Sequence, residues 1–230
     1  MIHKRPKVLY VEDDEILGYA ITYCLEQNGY DVTHCNNGEI AWNKFMKYSY
    51  DICIIDIMLS SKKNGLNLAN DIRKKNHIIP IILNSSKNIE ADRILGFENG
   101  ADCYLSKPVN LKELLLRMEV FLKRNRKKNH DPKVLFKISD LDFDYLKLTI
   151  SKNDFGFILT QKEADLLKYF CLNPDRLIKR EEILMEVWGK DDYYLGRSLD
   201  VFINKLRKHI RSQNEVKILT IHGSGFKYST

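Results

Sequence analysis

Residues 8–14 read Val-Leu-Tyr-Val-Glu-Asp-Asp, a run of four apolar residues that ends in three carboxylates. A second run, Ile-Cys-Ile-Ile at residues 52–55, ends in Asp56, and a third, at residues 102–105, leads to Lys107 and Pro108. Short apolar runs of this kind predict strands that are buried on both faces. Because stretches with helical spacing separate the runs, the sequence predicts a doubly wound parallel sheet with helices on both sides, an α/β fold.

The first half of the chain is expected to alternate five strands with five helices. The predicted strands cover residues 8–11, 31–34, 52–55, 78–83 and 102–105. Helical spacing predicts one buried face on the first helix, made of Ile16, Tyr19, Ala20, Tyr23 and Cys24. It predicts another on the fifth helix, made of Leu111, Leu114, Leu115, Met118 and Leu122. The carboxyl ends of parallel strands then share one edge of the sheet, where ligands bind.

Glu12, Asp13, Asp56 and Lys107 all follow predicted strands, so we expect them to meet at that edge. Clustered carboxylates repel one another and need a cation. Mg²⁺ suits because it takes oxygen ligands and keeps waters for a phosphoryl group, which Lys107 can contact. This pattern makes Asp56 a nucleophile that can form an acyl phosphate. Taken alone, an acidic triplet more often caps a helix and Lys-Pro more often forms a turn.

The composition is that of a folded protein, with 44% hydrophobic and 30% charged residues, which argues against a disordered or repetitive chain. No apolar run approaches the roughly 18–20 residues that span a bilayer, so we expect a cytoplasmic protein without a membrane partner. The five cysteines show no metal-ligand spacing, which indicates reduced thiols. Residues 1–122 carry a net charge of −1 and residues 123–230 carry +7, which suggests that the second half meets a polyanion.

The chain is expected to form two domains, at residues 1–122 and 134–230, joined by a polar linker at residues 123–133. Four predicted strands open the second domain, and a capping box at Thr160 and Glu163 starts the first of three helices. The second helix spans about residues 180–188 and the third about residues 197–211. A hairpin at residues 217–228 follows. Strands, three helices and a hairpin predict a winged helix-turn-helix.

The third of these helices has the two faces expected of a DNA-reading helix. Its buried stripe is predicted to be Leu199, Ile203, Leu206 and Ile210. The opposite face can enter a major groove and carries Arg197, Val201, Asn204, Lys205, Lys208 and Arg211. We expect Arg197, Ser198 and Arg207 to contact phosphates, and Val201, Asn204 and Lys205 to read base edges. The plain alternative is an amphipathic helix whose charges are only solvated.

The two halves resemble a known pair of domains. Residues 7–122 resemble a flavodoxin-like response-regulator receiver domain, on the motifs at residues 8–14, 56–59 and 100–108. Residues 134–230 resemble the winged-helix effector of the OmpR/PhoB family, on the motifs at residues 159–167, 187–189, 197–201 and 223–226. The resemblance implies a DNA-binding transcription regulator of a two-component system, and not an enzyme.

The resemblance also implies roles for single residues. Asp56 is expected to accept the phosphoryl group, and Lys107 is expected to contact that group. The peptide bond between Lys107 and Pro108 is expected to be cis. Mg²⁺ is expected to bind Asp13 and Asp56 directly, Glu12 through water, and the Met58 backbone carbonyl. The switch that reports phosphorylation is expected to be the hydroxyl of Ser85 together with the ring of Tyr104.

The partners implied by the resemblance are a sensor histidine kinase, promoter DNA with direct-repeat half-sites, RNA polymerase, and a second copy of this chain on activation. The polymerase is expected at residues 190–196. The wing is expected to touch DNA through His222, Ser224 and Phe226. The expected dimer contacts are Arg93, Asp102, Glu113, Arg117 and Arg124.

Four of the departures from the family pattern motivate an alternative function. Ser85 replaces the commoner threonine, and Asn84 stands where an apolar strand residue is usual. The loop from Asp56 to Gly65 is one residue longer than usual and lacks the usual proline, and Cys103 replaces an aspartate expected to pair with Arg117. These departures leave open a regulator that works without phosphorylation. An aspartate-nucleophile phosphatase is disfavoured, because residues 57 and 58 provide no second acid.

Overall fold

The chain forms two compact units, Met1–Lys127 and Lys128–Thr230. In this computed structural model the described residues are 5–86, 90–127, 134–152, 155–189, 193–210 and 216–229. Within these ranges, the side chains of residues 90–91, 123–127, 155 and 193–198 are not described.

The first unit is built on a five-stranded parallel sheet, as the sequence predicts. Its strands are β1 (Lys7–Val11), β2 (Asp31–Cys35), β3 (Ile52–Asp56), β4 (Ile81–Ser85) and β5 (Cys103–Ser106). They lie in the order β2-β1-β3-β4-β5. The fourth strand begins three residues later than expected. The reason is a turn in which the Asn76 side chain accepts hydrogen bonds from the N–H groups of Ile78 and Ile79, which holds both out of the sheet.

Five helices accompany the sheet: α1 (Glu15–Gln27), α2 (Gly38–Lys47), α3 (Gly65–Lys75), α4 (Glu90–Glu98) and α5 (Leu111–Lys127). Asp14, Asn37 and Asn64 cap the first three of them through side-chain oxygens that accept a backbone N–H. The fifth helix continues five residues into the segment predicted as a linker. Its basic residues are good helix formers, so the polar composition of that segment does not end the helix.

The buried face predicted for α1 is wrong. Ile21 and Leu25 enter the core with Leu17 packed beside them, whereas Ile16 is 84% exposed and Tyr19 is 74% exposed. Helix α1 carries apolar residues on several of its faces, so helical spacing alone does not identify the face that packs against the sheet. The face predicted for α5 is confirmed, because Leu114 and Met118 are fully buried against the sheet.

The second unit contains two antiparallel sheets and three helices. The first sheet has the order β6 (Leu135–Ile138), β7 (Leu141–Asp144), β8 (Thr149–Lys152) and β9 (Phe155–Ile158). The helices are α6 (Gln161–Leu172), α7 (Arg180–Trp188) and α8 (Tyr193–Ile210). The third helix begins four residues earlier than the sequence predicts, so residues 193–196 of the expected polymerase loop are helical.

The second sheet is the wing. It pairs β10 (Leu177–Ile178), which the sequence analysis missed, with β12 (Gly225–Ser229) and then β11 (Lys217–Ile221). Gly225 has φ +150° and lies against the backbone of Ile178, where a Cβ would come within 2.1 Å of the carbonyl oxygen. Glycine is therefore required at this point for the wing to pair with β10.

The core of the second unit lies between its three helices and the wing. All four residues of the predicted α8 stripe are buried, as are Trp188 and Tyr228. The predicted capping box is present, since Thr160 and Glu163 exchange hydrogen bonds between side chain and backbone. These contacts fix α8 so that one side faces the core and the other remains accessible.

Candidate functional site

The four residues predicted to meet at the edge of the parallel sheet do so. Glu12 and Asp13 follow β1, Asp56 is the last residue of β3, and Lys107 follows β5. Ligand atoms of the three carboxylates lie within 4.8 Å of one another. Glu12 and Asp56 are almost completely buried, whereas Asp13 lies at the partly open mouth of the pocket.

Lys107 neutralises the two buried carboxylates. Its Nζ lies 2.6 Å from Asp56 Oδ2 and 2.8 Å from a carboxylate oxygen of Glu12. Burial by itself would lower the pKa of Lys107, but hydrogen bonds from the ammonium to Asp56 and Glu12 raise it above its usual value. The lysine therefore stays charged, and it touches the carboxylate expected to accept a phosphoryl group.

Burial and a neighbouring negative charge both disfavour the ionised form of Glu12. Burial raises its pKa, the hydrogen bond from Lys107 opposes that rise, and the charge of Asp56 adds to it. A divalent cation would relieve this repulsion. The donor set of three carboxylates, two of them buried, fits Mg²⁺, which prefers hard oxygen ligands.

The segment that follows each strand shapes the pocket. The peptide bond between Lys107 and Pro108 is cis, as predicted. The N–H of Met58 donates to Asp56 Oδ1 at 2.9 Å, and its side chain is exposed. The role of the Met58 carbonyl as a metal ligand stays a prediction. Ser60, which the sequence analysis did not select, donates two hydrogen bonds to Asp13. The missing proline of this loop was the signal that could have identified it.

The two predicted switch residues lie together. Ser85 is the last residue of β4 and is fully buried, and its side chain is hydrogen-bonded to the phenol of Tyr104. The Tyr104 ring is also buried, and the Arg93 guanidinium lies 4.9 Å from its centroid. Burial raises the pKa of the Tyr104 phenol, so it remains protonated and able to donate.

Asn84 lies on the strand between β3 and β5, and its side chain has no hydrogen-bond partner among the residues that the structure describes. It pairs in register with Asp56 on one side and Leu105 on the other. Its side chain is 0% exposed, and neither its amide nitrogen nor its amide oxygen has a partner among the described residues. Its backbone carbonyl accepts the N–H of Ile57.

One predicted dimer contact is wrong. Asp102 is 3% exposed, and its carboxylate is bound inside the unit by the guanidinium of Arg73 and the N–H of Ile81. A carboxylate so enclosed cannot reach a second chain. Glu113 and Arg117 pair with each other along α5 at 2.6 Å, and Arg93 covers Tyr104. The side chain of Arg124 lies outside the described residues.

In the second unit, the outer side of α8 remains accessible as predicted. Asn204 and Lys208 are exposed and Val201 is partly exposed. At the tip of the wing, His222 and Ser224 are exposed as well. The side chains of Arg197 and Ser198 lie outside those that the structure describes.

Three residues of the predicted DNA surface have contacts inside the domain instead. Phe226 is 1% exposed and lies under the Arg180 guanidinium, so it belongs to the core and cannot touch DNA. Arg207 donates to the carbonyl of Ile218 and to the Thr220 hydroxyl, so it holds the wing to α8 and does not stand free for phosphate. Lys205 lies 3.9 Å from Glu163 and is partly exposed, so its contact with a base edge stays a prediction. The predictions for Phe226 and Arg207 are corrected.

Comparisons with protein families agree with both units. A family described as "Response regulator receiver domain" matches residues 8–119. A second, described as "Transcriptional regulatory protein, C terminal", matches residues 156–228. None of the helices among the described residues combines the length and the apolar composition that a membrane crossing requires.

Similar proteins share both units in the same order. The transcriptional regulatory protein RprY of Bacteroides fragilis is 37% identical over 224 residues, which cover 97% of this chain and 94% of that protein. TrcR of Mycobacterium tuberculosis is 31% identical over 222 residues, covering 96% and 85%. The structure of DrrB, a Thermotoga maritima OmpR/PhoB homologue, gives a TM-score of 0.52 at 26% identity, covering 99% and 100%. A mutant of RitR shares the fold with a TM-score of 0.75 at 19% identity, covering 97% and 98%.

Proposed function

The chain belongs to the two-component response regulators that join a receiver domain to an OmpR/PhoB-type DNA-binding domain, and from this we propose that phosphorylation of Asp56 controls its binding to DNA. The observation that carries the proposal is the contact between Lys107 and Asp56 inside a cluster of three carboxylates. This arrangement supplies a nucleophile, a positive charge for the incoming phosphoryl oxygens, and ligands for a metal.

The reaction proposed is phosphoryl transfer from a phosphohistidine of a sensor kinase. An oxygen of Asp56 forms the new bond to phosphorus while the bond to the histidine nitrogen breaks. Bound Mg²⁺, held by Glu12, Asp13 and Asp56, would offset the charge of the phosphoryl oxygens. Lys107 is already 2.6 Å from the acceptor carboxylate, so it can bind a phosphoryl oxygen with little movement.

A protein that donates the phosphoryl group must dock beside the pocket. Asp14 caps α1 immediately after the pocket carboxylates, so the first turn of α1 lies at the pocket mouth. Ile16 and Tyr19, which the sequence analysis expected in the core, are exposed there. An exposed apolar surface next to the reacting group suits a protein partner better than a small-molecule donor.

The readout proposed runs through Ser85. A phosphoryl group on Asp56 offers new acceptor oxygens, and the Ser85 hydroxyl, which now bonds Tyr104, can turn toward them. The changed contact of Tyr104 alters the surface of β5 and the helices that flank it, where we place a symmetric dimer. Two effector domains then bind direct-repeat half-sites in promoter DNA and recruit RNA polymerase. Such a protein acts where the DNA is, in the cytoplasm.

DNA affinity and oligomeric state, measured together, test the proposal. The full chain is compared with Asp56→Asn in the presence of Mg²⁺, with and without beryllofluoride as the phosphoryl analogue. Asp31→Asn, an exposed aspartate at the start of β2, is the matched control. We expect activation to tighten DNA binding at least severalfold and to produce a dimer in the wild type and the control, but not in Asp56→Asn.

A regulator that ignores phosphorylation is the second candidate. It is favoured by the buried Asn84 side chain next to Asp56, for which the described residues offer no hydrogen-bond partner. Under that alternative, beryllofluoride changes neither DNA affinity nor oligomeric state in any of the three proteins. That result would overturn the proposed switch and leave the DNA-binding role intact.

A further inference from the structure

The loop between β3 and α3 reaches across the pocket and binds Asp13. Two donors of Ser60 meet the same carboxylate oxygen: the backbone N–H lies 2.9 Å from Asp13 Oδ2 and the hydroxyl Oγ lies 2.5 Å from it. The two residues are 47 positions apart in the chain. Each contact is a hydrogen bond to a charged acceptor, which is stronger than a neutral one.

The loop is anchored independently of Asp13, so Ser60 is presented from a fixed support. Ser61 accepts a hydrogen bond from the N–H of Gly38 and donates to the carbonyl of Lys63. The N–H of Lys63 donates to the Glu39 carboxylate. These bonds tie the loop to the start of α2. Asp13, which is partly exposed, is therefore bound by a loop that other hydrogen bonds hold in place.

We propose that Ser60 is a positioning residue that holds the Asp13 carboxylate in the orientation required for a divalent cation in the pocket. The inference rests on the proposed metal site of Glu12, Asp13 and Asp56. Two donors on Oδ2 fix the plane of the carboxylate and leave its second oxygen to turn toward the cluster. A metal ligand that is held before the ion arrives loses less side-chain freedom on binding, and loss of such supporting contacts typically weakens metal affinity.

Both hydrogen bonds to Asp13, including the one from the backbone N–H, depend on the residue type at position 60. A proline at position 60 would have no N–H and no hydroxyl, so it could make neither bond to Asp13. Serine at this place in the loop gives both donors. The absence of the usual proline, noted in the sequence, therefore has a chemical consequence at the metal site.

Calorimetric titration of the full-length protein with MgCl₂ tests the proposal. The variants are Ser60→Ala, which removes the hydroxyl, Ser60→Thr, which keeps it, and Ser60→Pro, which removes both donors. Ser49→Ala is the matched control, because Ser49 is an exposed serine outside this loop. We expect Mg²⁺ affinity to fall by roughly tenfold in Ser60→Ala and by more in Ser60→Pro. Ser60→Thr and Ser49→Ala should stay within about twofold of the wild type.

The outcomes separate this proposal from the one on which it rests. Equal affinity in wild type and Ser60→Ala, or an equal loss in Ser60→Ala and Ser49→Ala, overturns the role of Ser60 while the metal site stands. If the wild type binds no Mg²⁺, or if Asp13→Asn binds it as well as the wild type does, the metal site itself is wrong. Thermal unfolding without metal shows which variants fold, and Ser60→Ala and Ser60→Thr decide the question if Ser60→Pro does not.

Discussion

The carboxylate of Asp102 lies 2.6 Å from the Nη2 of Arg73, and both side chains are buried in the receiver domain. Asp102 also accepts the N–H of Ile81, and Arg73 also donates to the carbonyls of Gly100 and His77. The pair therefore joins α3, β4 and the start of β5 in one buried network. This network stabilises the fold, and it leaves the Asp102 carboxylate inaccessible to a second chain.

Breaking this pair should destabilise the receiver domain strongly. Asp102→Asn leaves Arg73 as a buried charge without its counter-charge, and such a change typically costs about 3–5 kcal/mol. Glu113→Gln, which breaks the more exposed pair with Arg117 on α5, should cost less than about 1 kcal/mol. Urea unfolding followed by the fluorescence of Trp42 in a Trp188→Phe background measures both. Equal losses of unfolding free energy in the two variants would show that the buried pair of Arg73 and Asp102 contributes no more to stability than the pair of Glu113 and Arg117.

Asn84→Val should stabilise the receiver domain. The side-chain amide of Asn84 is buried and has no partner within the described part of the chain, which typically costs about 1–3 kcal/mol, and valine is an apolar residue that suits a strand. We expect a gain of about 1–2 kcal/mol in the free energy of unfolding. Asn110→Ala is the contrasting variant, because the Asn110 side chain accepts the N–H of Glu113 at the start of α5 and its loss should cost about 1 kcal/mol. A loss of stability in Asn84→Val would mean that this amide has a partner in solution.

Two residues on the outer side of α8 should affect DNA binding in different ways. Lys208→Ala should weaken binding to all sequences and reduce the slope of log affinity against log salt by about 0.9. Asn204→Ala should instead cost about 1–3 kcal/mol on the best site and little on unrelated DNA. Lys137→Ala, which removes an exposed charge on β6, is the control and should change neither quantity. If Asn204→Ala weakened all sequences alike, Asn204 would not read a base.

The effector domain should lose stability in mild acid because of His209. Burial lowers the pKa of His209, and Lys205 and Lys208 lower it further, while Glu163 opposes them. Phe157 packs against the ring. The unfolded chain therefore takes up a proton at a pH at which the folded domain does not, so stability falls as the pH drops below about 6.5.

His209→Gln should remove part of that acid sensitivity. The measurement is urea unfolding at about pH 7.5 and about pH 5.5, followed by Trp188 fluorescence in a Trp42→Phe background. The difference in unfolding free energy between the two pH values should be smaller in His209→Gln than in the wild type. His222→Gln, at the exposed tip of the wing, should leave it unchanged. An unchanged difference in His209→Gln would rule out this histidine as the cause.

Much of the fold and of the pocket could be predicted from the sequence because each depends on a regular pattern. Parallel strands must end at one edge, so Asp13, Asp56 and Lys107 could be placed together although up to 95 residues separate pocket members. The buried stripe of α8 follows from a period of 3.6 residues, and the capping box follows from two side chains three positions apart.

The errors arose where more than one face or partner was chemically acceptable. In α1, Ile16 and Tyr19 are hydrophobic residues like Ile21 and Leu25, so only packing against the sheet decides which pair is buried. In the wing, Phe226 is near the expected DNA surface in sequence, but its strand alternates and turns the ring inward.

The sequence by itself determined the two domains, the placing of Glu12, Asp13, Asp56 and Lys107 at strand ends, and the buried stripe of α8, because periodicity and strand ends are local properties. Only the tertiary structure decided which charged side chains are bound by other residues of the same chain. Arg73 with Asp102, Arg207 with Ile218, and Ser60 with Asp13 are contacts between segments distant in the chain. Such contacts depend on how packed elements bring donors and acceptors within about 3 Å, which no local pattern encodes.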